Sequence, residues 1–299
     1  EEPHDTWATQ GLLELLPPPG TGTPQEEAER LALLGTLITS ASGDARAELL
    51  SRRAALHRNA GRSQSARDDF LAATKLSHRP APLWLAIAAL AREAGDDVDE
   101  LEAWRQVVAS EPELAERART RLLALASVLV EKDARTPARE ALLAAVALPL
   151  SPAERSDAFF ALATLARRDG QTDAEADALA EAARQGPLPR RVEAQLARAS
   201  LLEKTGKLAE AADSLEAALS LAPRHAGATA ALQRVLRDQE DWTRLAGLLA
   251  AEASHAPPPE AAALYAELGT LHLERLEQSS EVVPAVNQIE LHPSFQQRA

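Results

Sequence analysis

RVEAQLARASLLEKTGKLAEAADSLEAALSLAP, residues 191–223, is the stretch of sequence that decides the fold. Apolar and small residues recur at helical spacing in each half, namely Leu196, Ala199 and Leu202, then Leu208, Ala211, Leu215 and Ala218. Gly206 stands between the halves and tolerates the left-handed backbone that ends a helix, while Pro223 stops the second helix. The stretch therefore predicts two amphipathic helices joined by a tight hinge.

The same pattern recurs along the chain at intervals of 34 to 38 residues. The predicted hinges are Gly61, Gly95, Asp133, Gly170, Gly206, Glu240 and, more weakly, Leu276. Small residues recur at matching distances from these hinges, for example Ala54, Ala66, Ala126, Ala138, Ala199 and Ala211; in the copy hinged at Gly170 they are assigned to Ala163, Ala176 and Ala183. Because small residues let helix axes approach closely, the repeats are predicted to stack.

In its register this pattern resembles the tetratricopeptide repeat. The copy hinged at Gly95 has Trp84, Ile87, Ala88 and Pro112 where that repeat has its tryptophan, leucine, small residue and closing proline. The resemblance covers about residues 44–276. It implies an all-α fold, a right-handed α-α superhelical solenoid of helical hairpins. The domains are then predicted as capping helices with a proline-rich linker at 1–43, the solenoid at 44–278, and a tail at 279–299.

The carboxyl-terminal segment EVVPAVNQIELHPSFQQR, residues 281–298, separately resembles a strand segment of the aldo-keto reductases. In that family the glutamine matching Gln288 contacts the nicotinamide, so one alternative is a fragment or fusion related to an NADPH-dependent reductase. The upstream catalytic residues of that family have no counterparts here, and activity is not carried over. The same letters also fit the last helix of a repeat, and we expect the tail to pack on the preceding helix in either case.

The composition of the chain argues against several classes of function. The formal net charge of −13 argues against non-specific nucleic-acid binding, which requires clustered lysine and arginine. The sequence has no apolar run long enough to cross a membrane, and it has no cysteine. Its histidines are scattered and no catalytic constellation is visible, so we expect no enzyme activity, no metal and no cofactor. The compartment is left open, with the cytoplasm favoured by default and the periplasm an alternative; the alanine- and arginine-rich composition is typical of a bacterium with GC-rich DNA.

The interaction residues are inferred from the resemblance, which implies that the first helix of each repeat lines a concave groove. The candidate partner-binding residues are Arg52, Arg58, Arg92, Phe160, Arg167, Arg168, Leu196, Lys204, Arg234 and Arg237. This predicts a protein or peptide partner, and arginine suits acidic or carboxylate-ended peptides. Two alternatives stay open: the charges form ordinary ion pairs along the helices, or the chain is a regulatory arm of a larger signalling protein.

Overall fold

The computed structural model describes residues 6–18 and 21–276, which form fifteen α-helices and two short irregular helical turns. The α-helices are α1 (Thr6–Leu15), α2 (Pro24–Ser40), α3 (Gly43–Asn59), α4 (Ser63–Thr74), α5 (Ala81–Ala94), α6 (Asp97–Ser110), α7 (Ala115–Glu131), α8 (Arg135–Val146), α9 (Pro152–Arg168), α10 (Thr172–Gln185), α11 (Leu188–Lys204), α12 (Leu208–Leu221), α13 (Ala226–Asp238), α14 (Trp242–Ala253) and α15 (Pro258–Leu271). A 3-10 turn, Pro112–Leu114, precedes α7, and a π-helical turn, His272–Leu276, follows α15.

Each helix packs mainly against its neighbours along the chain, so the all-α solenoid of tetratricopeptide-like hairpins predicted from the sequence is confirmed. The first helices of the hairpins, here called A helices, are α3, α5, α7, α9, α11, α13 and α15. The second helices, here called B helices, are α4, α6, α8, α10, α12 and α14. None of the described helices is long and apolar enough to span a bilayer.

All six predicted hinges from Gly61 to Glu240 have positive φ, between 54° and 75°. At each one the amide after the hinge donates to the carbonyl five residues earlier, as Lys207 N does to Leu202 O at 2.9 Å and Asp241 N to Leu236 O at 3.0 Å. This Schellman bond satisfies a carbonyl that the end of the A helix would otherwise leave unpaired. The same backbone conformation and the same hydrogen bond therefore recur at each of these six hinges, as the predicted repeat register requires.

Alanine fills the closest helix contacts. Ala54, Ala66, Ala138, Ala182 and Ala211 are completely buried. In the copy hinged at Gly170, the predicted packing positions Ala176 and Ala183 are wrong by one residue. Counted from the hinge as in the other copies, these positions are held by Glu175 and Ala182. Glu175 is only 3% exposed and is paired with Arg167, so a charged residue takes a position that alanine fills in other repeats.

At the amino-terminal end, α1 packs on α2 and α2 packs on α3. The start of α2 is fixed by a capping box, in which Thr23 accepts from Glu26 N at 3.3 Å and Glu26 accepts from Thr23 N at 2.6 Å. The described residues fall into two compact units that divide between Ser151 and Pro152. The domain boundaries predicted at residues 43 and 278 stay predictions.

The predicted hinge at Leu276 is the last described residue. The reductase-like segment and its predicted packing on α15 lie outside the described residues.

Candidate interaction surface

In unit 1, residues up to Ser151, the predicted site residues are Arg52, Arg58 and Arg92. Arg52 pairs with Glu48 one turn earlier on α3. Arg58 makes a two-pronged ion pair with Glu93 of α5, so it bridges successive A helices. Arg92 is exposed and makes no ion pair with any residue in the described part of the chain.

In unit 2, from Pro152 onward, arginine–carboxylate pairs join successive A helices. Arg234 of α13 donates from Nε and a terminal nitrogen to both carboxylate oxygens of Glu203 on α11, at 3.0 and 2.9 Å. The hydrogen bond to Glu203 raises the pKa of Arg234. Arg237 of α13 donates to Glu267 of α15 at 2.6 Å. These two pairs connect three consecutive A helices.

Arg190 is the residue that the repeat template missed. Its guanidinium donates to Asp157 of α9 at 2.7 Å and to Glu193 of α11 at 2.9 Å, and it lies over the ring of Phe160 at 5.0 Å from the centroid. The hydrogen bond to Glu193 raises the pKa of Arg190. Phe160 is therefore half-buried beneath a cation, and its lower side packs on the alanines between α10 and α11.

Four other predicted residues have different surroundings. Arg167 donates to the buried Glu175 at 2.6 Å within its own hairpin. Leu196 is half-buried and packs on the core shared by α11, α12, α13 and α14. Lys204, at the end of α11, is exposed and has no ion-pair partner among the described residues. Arg168 has interactions of its own at the end of α9.

These contacts define what we call the A face of unit 2, the exposed side of its A helices. It carries Asp157, Phe160, Arg190, Leu196, Glu203, Lys204, Arg234, Arg237 and Glu267. In the sequence, these ion pairs correspond to residues of opposite charge that are separated by about one repeat. Asp157 and Arg190 are 33 residues apart, and Glu203 and Arg234 are 31 apart. Most of the predicted cations therefore form ion pairs within the chain, whereas Arg92 of unit 1 and Lys204 of unit 2 form none with the described residues.

Two further ion pairs have a buried carboxylate and do not belong to the A face; the first joins successive hairpins and the second lies within one hairpin. Glu100 of α6, 2% exposed, accepts from Arg121 of α7 at 2.6 and 2.9 Å and from the indole nitrogen of Trp104 at 3.2 Å. Asp69 of α4 accepts from Arg53 of α3 at 2.7 and 2.5 Å. The described residues contain no group of three or more histidines and carboxylates arranged to hold a metal ion.

Comparisons with known proteins identify one repeat by sequence. The tetratricopeptide repeat family matches residues 192–225, which is the copy hinged at Gly206. No curated protein sequence matches the chain.

Solved structures with similar folds include a tetratricopeptide repeat protein from Parabacteroides merdae ATCC 43184, with 17% identity over 90% of this chain and 100% of that one and a TM-score of 0.35. YrrB has 19% identity over 60% of this chain and 88% of its own, with a TM-score of 0.34. MamA has 17% identity over 66% of this chain and 94% of its own, with a TM-score of 0.33. At these scores the likenesses carry no argument about function, and the fold assignment rests on the hairpins themselves.

Proposed function

We propose that this chain is a non-catalytic protein-interaction scaffold that binds a peptide or an extended segment of a partner protein on the A face of unit 2. The observation that carries the proposal is the ladder of exposed ion pairs across α9, α11, α13 and α15, beside the half-buried Phe160 and Leu196. A repeat fold offers such a surface as one continuous face, because each hairpin contributes the same side of its A helix.

The energetics of the ladder suit the binding of a carboxylate-bearing peptide. The side chain of Arg234 is 59% exposed and that of Glu203 is 28% exposed. An exposed ion pair of this kind is worth only about 0–1 kcal/mol. A carboxylate of the partner therefore replaces Glu203 or Glu267 at little cost, and it can also pair with Lys204, which has no ion-pair partner among the described residues. Arginine is suited to this exchange because its guanidinium holds carboxylates in a two-pronged geometry.

The apolar part of the surface supplies the remaining affinity. Leu196 lies on α11 between the Arg190 pair at one end of the helix and Glu203 at the other. Apolar contacts on such half-buried side chains add about 25 cal/mol for each Å² that they remove from water. The partner we infer is an extended segment with acidic residues flanking an apolar one.

The test is selection of peptides from a random display library on the full-length chain, followed by affinity measurement on variants. For a selected peptide, the double variant Arg234→Glu with Arg237→Glu is expected to lose about 10-fold or more in affinity, since like charges facing each other in an interface cost several kcal/mol.

The matched control is Arg244→Glu. Arg244 makes the same kind of inter-helix pair, with Asp213 at 3.0 Å and Glu216 at 2.8 Å, but between the B helices α14 and α12. Its replacement is expected to leave affinity unchanged. The proposal would be overturned by peptides that bind the wild type, the double variant and the Arg244→Glu control equally, or by peptides that cross-link to B helices.

A further inference from the structure

A groove lies on the B-helix side of unit 1, separate from the A helices' exposed face. It runs between α6 and α8 and has a volume of about 530 Å³. Its floor includes Leu122 of α7, and its walls include Arg105 and Val108 of α6 and Glu140 and Leu143 of α8. Volumes of this size are typical of functional clefts.

Two local features of the chain accompany the groove. The hinges at Gly95 and Asp133 are 38 residues apart, the longest repeat in the chain, and the extra length contains the 3-10 turn Pro112–Leu114 that separates α6 from α7. The groove is also lined by alanines, Ala109, Ala144 and Ala147, whose side chains are too short to fill the space between the helices.

Each wall carries one charged residue followed by one apolar residue, and the charges of the two walls are opposite. Arg105 of α6 is followed three residues later by Val108, and Glu140 of α8 is followed three residues later by Leu143, so each wall presents a charge and then an apolar residue on one helical face. Within the chain Arg105 is only loosely paired, with Glu140 across the groove at 3.9 Å and with Glu102 one turn earlier on α6 at 3.6 Å. The side chains of Arg105 and Glu140 are 51% and 52% exposed. Leu143 is 50% exposed beside an apolar groove. These exposed pairs are weak, so both charges can exchange partners at little cost, and half of the Leu143 side chain remains exposed.

We propose that the occupant of this groove is a second copy of the chain, related by a two-fold axis. In a two-fold interface, if residue i of one copy contacts residue j of the other, then j also contacts i. A copy that sets its α8 wall against the first copy's α6 wall therefore pairs each Arg105 with the other copy's Glu140, and each Leu143 covers the apolar groove of the other copy. Among the residues that line the groove, the α6 wall carries the cation Arg105 and the α8 wall the anion Glu140, and this is the charge complementarity that such a two-fold arrangement requires.

This interface goes beyond the proposed scaffold function, since it uses other residues and another unit. Dimerisation doubles the number of A faces in one assembly, and two linked sites raise the apparent affinity for a partner that carries two binding segments.

The first test is sedimentation equilibrium of the full-length chain over a wide concentration range at moderate salt. A reversible monomer–dimer equilibrium is expected, and Leu143→Glu is expected to weaken it by about 10-fold or more because it buries a charge in the interface. The matched control is Leu188→Glu in unit 2, where the leucine is equally exposed at 54% and dimerisation is expected to be unchanged. A wild-type chain that stays monomeric at every concentration overturns the proposal.

The second test uses charge exchange and is independent of any folding defect. Arg105→Glu puts an acidic residue on both walls, and Glu140→Arg puts a basic residue on both walls. In a dimer of either variant like charges would face each other, so each variant alone is expected to stay monomeric. An equimolar mixture restores both inter-chain pairs, since each wall then meets its opposite, and is expected to form a 1:1 heterodimer. Circular dichroism of each variant checks that both are folded. A mixture that shows no association overturns the two-fold geometry.

Discussion

The hinge at Glu240 is a place where the repeat is held in a backbone conformation that its side chain disfavours. Glu240 has φ of 58°, in the left-handed region, where an L-residue with a Cβ costs about 1–2 kcal/mol. Glycine avoids that cost but loses about 0.5–1 kcal/mol more through its greater freedom in the unfolded chain. Glu240→Gly is therefore expected to stabilise the protein by about 0.5–1 kcal/mol.

The reciprocal change gives the control. Gly206 occupies the same hinge position with φ of 75°, and a Cβ built on it meets no atom within 4 Å. Gly206→Glu therefore adds only the backbone cost, without a steric clash, and is expected to destabilise by about 0.5–1 kcal/mol. The two substitutions exchange the same pair of residues at equivalent positions, so their effects are expected to have similar size and opposite sign.

Urea denaturation followed by circular dichroism measures both changes as shifts of the midpoint at unchanged slope. Hydrogen exchange of the Asp241 amide, which makes the hinge bond to Leu236, reports the same change locally. The reasoning is refuted if Glu240→Gly lowers the midpoint, or if Gly206→Glu leaves it unaltered.

Further stability changes follow from the ion pairs and from one histidine. Glu100→Ala removes the buried carboxylate that accepts from the partly exposed Arg121 and from Trp104, and is expected to cost about 3 kcal/mol in the free energy of unfolding, measured by chemical denaturation; a loss below about 1 kcal/mol contradicts the buried pair. Arg234→Ala is expected to change stability by less than about 1 kcal/mol in the same assay, because its pair is exposed. Burial and the nearby Arg62 lower the pKa of His57, with Asp69 opposing, so the unfolded chain binds its proton more readily. The stability that neutral His57 contributes is therefore fully present above the unfolded pKa of about 6.5 and falls as the pH drops below it. With His57→Phe, the melting temperature is expected to change less between pH 7 and 5 than it does in the wild type.

The hinges were predictable because a positive φ depends on local backbone chemistry. Glycine marks four of the six, and the spacing carried the prediction to Asp133 and Glu240, where no glycine stands. Most of the small packing positions could be predicted from their fixed distances to the hinges. In the copy hinged at Gly170 the prediction was wrong by one residue, because Glu175 stands where other copies have alanine. There the charge is tolerated only because Arg167 reaches it from the same hairpin.

The ion pairs of the A face were less accessible to sequence reasoning. Ordinary ion pairing along the helices was one of the predicted alternatives, but which cation meets which acid depends on how far apart neighbouring helices lie. Arg190 lies at the first turn of α11, outside the positions that the repeat template assigns to the surface, and yet it joins Asp157, Glu193 and Phe160. Only a search for opposite charges about one repeat apart would have found it.

Because the A-face pairs join consecutive repeats, losing one affects both stacking and any partner that contacts it. A charge exchange separates the two effects. Glu203→Arg combined with Arg234→Glu keeps an ion pair between α11 and α13 but moves the cation to the other helix.

Unfolding stability of this double variant is expected to match wild type within about 1 kcal/mol. Affinity for a peptide selected on the wild-type chain is expected to fall about 10-fold or more, because its carboxylate now faces Glu at position 234. The same exchange on the B helices, Asp213→Arg with Arg244→Asp, is the control and is expected to change neither quantity greatly. If the A-face exchange leaves affinity intact, the pairs serve only to hold the repeats together and the carboxylate-bearing partner is wrong.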